Sequence, residues 1–153
     1  MTRVIFLLLE RVTSERDYWQ WLCRWLEQRY LKGERALVLL ADDQRLSELD
    51  RLLWVFSDCS LVPHTPCNIT DWRVCDYPIA LVKGDDLDFS NLDHHVEWLV
   101  NCSGRSLQVA GSGAVDRLVE LVPAMSDIKK RMRAVYKEYT SQGVEPITEP
   151  GII

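Results

Sequence analysis

The ten residues from Ile128 to Lys137 carry five cations and no acid, in a chain whose formal net charge is −5. At 100° per residue, Lys129, Arg133, Tyr136 and Lys137 fall on one face of a helix, three cations around one aromatic ring. Ile128, Met132, Val135 and Tyr139 fall on the neighbouring face, which predicts burial. A face of this kind can hold carboxylates on its cations while the ring walls an apolar pocket. The same cations can equally be solvated and complement the negative end of the helix, although the run has no acid to pair with them at i,i+4. Between anionic partners, DNA fits poorly, because the chain without these five cations carries about −10 and would repel flanking phosphates. A short acidic peptide with an apolar end fits better.

Other residues suggest chemistry more weakly. Asp93, His94 and His95 resemble part of a metal-dependent phosphoesterase site, but adjacent histidines on a helix diverge by about 100° and no companion aspartate motif is present. Gly111 and Gly113 precede "AVDRLVEL", which reads as a helical stretch whose start could bind an anion; without a third glycine, a loop with Ser112 as cap is the simpler reading. His64, Cys67 and Cys75 match no usual zinc spacing. No G-x-x-x-x-G-K-[ST] and no G-x-S-x-G occurs, and the junction "LERVTSERD" lacks the glycines that let a backbone approach pyrophosphate. These absences favour a binding module over an enzyme.

The elements that must carry these residues follow from periodicity. With 153 residues, 47% of them hydrophobic, the chain can build one real core. "RVIFLLL", "RALVLLA", "YPIALV" and "VEWLVN" are continuous apolar runs, the pattern of strands covered on both faces. "VIFLLL" is too short for a signal peptide's apolar region or for a membrane span. Five scattered cysteines fit reduced thiols of a cytosolic protein. Ser14 and Gly33 bracket one helix, with Tyr18, Trp19, Leu22, Trp25, Leu26 and Tyr30 on its inward arc. Asp42 or Asp43 starts a second, whose inward stripe is Leu46, Leu49, Leu53 and Phe56. Trp54 sits off that stripe and shortly precedes "LVPH", a candidate exposed patch. The expected fold is α/β and three-layered, a mostly parallel sheet with helices on both faces, Rossmann-like but without a nucleotide site. Residues 1–143 form a single domain, 65–76 and 83–95 are surface loops, and 144–153 is an extended C-terminal tail.

Taken together and in order, "VIFLLL", "KGERALVLLADDQRLSELDRLLW", "LVPH", "YPIAL" and "ELVPAMSDIKKRMRAVYKEYTSQG" resemble the chi subunit of bacterial DNA polymerase III over most of the chain. The resemblance implies an α/β fold like that of nucleotide-binding domains, no catalysis, no cofactor and a cytoplasmic place in the clamp-loader assembly. It implies two partners, the psi subunit and the acidic C-terminal tail of single-stranded DNA-binding protein (SSB), with DNA contacted only indirectly and no membrane. On the matching positions, the SSB-tail site is Lys129, Arg133, Tyr136 and Lys137, with Val122 and Pro123 beside it. The psi-facing patch is Trp54, Leu61, Val62 and Pro63, for which a helicase-like protein is an alternative partner. Leu61 stands where the family resemblance implies an aromatic. From 65 to 76 and from 83 to 113 only strand cores align. The alternative on fold alone is a nucleotide-binding α/β enzyme of unknown reaction.

Overall fold

Continuous apolar runs become strands here because the sheet is covered on both faces. The computed structural model describes residues 2–58, 61–66, 78–84, 95–109 and 113–152. Its strands are β1 (Arg3–Leu9), β2 (Ala36–Leu40), β3 (His64–Pro66), β4 (Ile79–Lys83), β5 (Val96–Cys102), β6 (Val115–Pro123) and β7 (Ile147–Pro150). They lie in the order β3-β4-β2-β5-β6-β1-β7, and every neighbouring pair is parallel. β2, between β4 and β5, is fully buried along its length.

Three helices are present among the described residues: α1 (Glu15–Leu31), α2 (Asp43–Val55) and α3 (Ser126–Ser141). The oxygen of Ser14 accepts from the Asp17 amide, and that of Asp42 from the Arg45 amide, so both predicted starts are capped. Gly33 takes φ +75°, the left-handed conformation that ends α1 at low cost. α1 and α2 pack Leu22, Trp25, Leu26, Leu49 and Leu53 on one face of the sheet; α3 packs Met132, Val135 and Tyr139 on the other. This is the expected three-layer α/β architecture. Side chains alternate along β1 between the two layers. Ile5, Leu7 and Leu9 join the α1 layer, and Val4 and Phe6 the α3 layer.

Three local expectations change. The stretch after Gly113 is not a helix but β6, paired with β1 and β5. Val115, Leu118, Val119 and Val122 sit at helical spacing because Asp116, Arg117 and Glu120 interrupt the apolar run. Glu120 is nevertheless buried in a central strand, hydrogen-bonded by Tyr139 and Asn101. Within 144–153, residues Ile147–Pro150 are extended and add β7 to the sheet beside β1. His64–Pro66 is likewise a short edge strand, while 67–77 and 85–94 fall outside the described residues.

The end of β7 is pinned by Gly151, whose amide donates to the Leu8 carbonyl at 2.9 Å. A Cβ there would lie 2.3 Å from Leu9 Cδ2 and 3.1 Å from Trp21. Leu9 is itself buried in the core, so moving its methyl aside disturbs the packing around it. Gly151→Ala is therefore expected to cost about 1–3 kcal/mol, the usual penalty for overpacking. Hydrogen exchange would show faster exchange of the amide at position 151, with β2 unaffected.

Candidate functional site

α3 crosses β1 and β6 but stops short of covering all of them. Phe6 is roofed by Tyr136, with ring centroids 5.2 Å apart, and by Tyr139 at 6.1 Å in an edge-on arrangement. Two residues further along the same face of β1, Leu8 is 37% exposed. The uncovered strip is a pocket of about 240 Å³. Phe6, Leu8 and Val122 form its floor, and Lys129, Met132, Arg133 and Tyr136 line the α3 side. Thr148 of β7 stands at the other side.

Lys129 and Arg133 are exposed one turn apart beside this apolar floor. No described carboxylate pairs with Lys129, Arg133 or Lys137. The pocket thus unites four of the residues singled out in the sequence: Lys129, Arg133, Tyr136 and Val122. Lys137 is exposed on α3 and does not line it; Pro123, next to Val122 on the strand, points into the other layer by the strand's alternation. Phe6, Leu8, Met132 and Thr148 line it without having been anticipated. Alternation in "VIFLLL" already puts Phe6 and Leu8 on one face, but which helix lies over that face is set by strand order.

The second patch lies at the opposite edge of the sheet. Trp54 is 50% exposed and Leu61 66%, with Val55 also exposed beside Trp54. Val62 differs from expectation: it is fully buried, so it anchors the turn from below and offers no surface, while Pro63 is half-buried. The Trp54 ring packs on the His64 imidazole at 4.6 Å. His64 Nδ1 lies 2.6 Å from the Val62 carbonyl, and Nε2 lies 3.0 Å from both the carbonyl and the carboxylate of Asp50. The imidazole thereby ties the Leu61–Pro63 turn to α2, and both its nitrogens are engaged. Cys67 and Cys75 lie outside the described residues, among which no cluster fit for a metal occurs.

A larger cavity of about 380 Å³, with a lining of mixed polarity, opens at the carboxyl ends of β5 and β6, between the starts of α1 and α3. This is where enzymes of such folds bind their ligands. Burial raises the Glu120 carboxyl to about 7. Its Oε2 accepts from Tyr139 at 2.6 Å and from Asn101 at 2.7 Å. Burial also pushes the Cys102 thiol up to about 12, away from the thiolate a nucleophile requires. At the rim, Arg45 pairs with Glu15. These groups are committed to one another and tie the strand ends to the helices. His95, the one described member of its trio, pairs with Asp116 at 2.9 Å on the surface. Gly111 and Ser112 lie outside the described residues.

The sheet and its pocket define a Rossmann-like α/β domain that presents a cation-rimmed apolar pocket. Its sequence matches the family model of the DNA polymerase III chi subunit, HolC, over residues 1–146, and the chain belongs to that family. Membership makes it a replication accessory protein associated with the polymerase III assembly. Among solved structures, that of T4 UvsW shares the fold, with a TM-score of 0.64 and 11% identity; the match covers 99% of this chain but 42% of that one. No curated protein matches the chain significantly. Among the described residues, no helix is long and apolar enough to cross a membrane.

Proposed function

We propose that the chain is a non-catalytic subunit that binds the acidic C-terminal tail of SSB in the pocket between α3 and β1. The observation that carries this reading is the juxtaposition of an open apolar floor with two cations that pair with no carboxylate among the described residues. Lys129 and Arg133 hold the tail's carboxylates through charge-assisted hydrogen bonds, and Lys137 extends the positive face along the helix. The terminal aromatic side chain enters between Phe6, Leu8 and Tyr136. At the far edge of the sheet, Trp54, Leu61 and Pro63 dock psi or, in its place, a helicase-like partner. The subunit would thus link the replicase to SSB-coated DNA in the cytoplasm, touching DNA only through its partners.

The test is calorimetric titration of the purified protein with a short acidic peptide ending in phenylalanine. Saturable one-to-one binding that weakens as salt rises is expected. Absence of binding at low salt, or equal binding of a peptide lacking the terminal phenylalanine, would overturn the reading.

A further inference from the structure

β7 forms the edge of the sheet beside the pocket. The bond from the Gly151 amide to the Leu8 carbonyl fixes which way its backbone faces. Amides alternate sides along a strand, so those of residues 147, 149 and 151 face β1. Residues 146, 148 and 150 face the open edge. Positions 146 and 150 are prolines and carry no N–H. Thr148 is left with the outward-facing amide donor of this edge, and the same residue lines the pocket. The register places it opposite Phe6. Flanking prolines discourage pairing with a whole added strand, yet they leave one donor on the edge that borders the pocket, within reach of an occupant that runs over that edge.

We propose that β7 is a working wall of the peptide pocket and that the Thr148 amide is a backbone anchor for its occupant. The inference rests on the acidic-tail reading and adds a contact to it: the N–H of Thr148 donates to a carboxylate or main-chain carbonyl oxygen near the end of the tail. Lys129 and Arg133 engage the tail from the helix side. Strand β7 lies beyond the 1–146 span matched to the family, so the anchor is a property read from this chain's own fold.

Two substitutions in the full chain separate backbone from side chain. Thr148→Val keeps the amide and the shape and loses only the hydroxyl, so its affinity for the phenylalanine-ended acidic peptide is the reference against which the backbone change is read. Thr148→Pro removes the same hydroxyl together with an N–H that the β1 ladder does not use, and is expected to bind about tenfold more weakly than Thr148→Val, the size of one charge-assisted hydrogen bond. In the isotope-labelled wild-type protein, the Thr148 amide resonance is expected to move downfield on adding peptide, a readout that holds even should the proline variant fail to fold. If wild type binds but the Thr148 amide stays still, or if Thr148→Pro folds and binds like Thr148→Val, the anchor is wrong while the tail site stands. If wild type does not bind the peptide at all, both fall.

Discussion

Replacing Lys129 and Arg133 together by alanine is expected to weaken binding of a phenylalanine-ended acidic peptide at least about 30-fold, as two hydrogen bonds to charged groups are lost. Replacing Lys130 and Arg131 instead is expected to change it less than about threefold. Both double variants lower the net charge equally, so long-range attraction is matched and only position differs. Lys129 and Arg133 line the apolar pocket, whereas Arg131 lines the larger cavity around the start of the helix and Lys130 is exposed. Calorimetry at low and at physiological salt reads the difference. Equal losses in the two variants would reduce the site to a diffuse positive surface.

The second large effect concerns stability and is centred on Glu120. Burial raises its carboxyl from an ordinary 4.5 to about 7, against the opposing hydrogen bonds from Tyr139 and Asn101. The folded protein therefore holds this proton more tightly than the unfolded chain does. The resulting stabilisation is full below about pH 4.5 and is lost as pH rises towards 7, a change of about 3 kcal/mol across the window. Glu120→Gln can still accept from Tyr139 but has nothing to ionise, so denaturant unfolding of the variant is expected to fall much less between pH 5 and pH 8 than that of wild type. His95, raised by its hydrogen bond to Asp116, loses stability in the same direction in both proteins, so the difference between them isolates Glu120. Parallel pH profiles would mean that Glu120 is ionised in the native fold.

The same residue marks where the sequence was hard to read. β1, β2 and β4 are legible as unbroken apolar runs because nothing polar is needed in a strand covered on both sides, and β5 is legible from Trp98–Val100 although Glu97 and Asn101 flank that core. A buried carboxylate breaks the run in β6, and what makes it tolerable, Tyr139 donating from α3, is distant in sequence. β7 carries no apolar run, since all four of its residues are exposed and the backbone alone joins it to β1. The site divides similarly. Lys129, Arg133 and Tyr136 are legible from spacing within one helix. Leu8 and Thr148 belong to the pocket because β1 lies between β6 and β7, an ordering that no local pattern encodes.

That ordering also sets a distance. The pocket is centred on β1, next to the β7 edge, and the Trp54 patch lies at the β3 edge, so about five inter-strand spacings separate them, roughly 24 Å. This is several times the screening length of about 8 Å in physiological salt, so charge arriving at one edge is scarcely felt at the other. Two partners held at these edges would not compete for space. Their joint affinity would come from being tethered to one stiff plank, with tension between them carried crosswise through the hydrogen-bond rungs of the sheet.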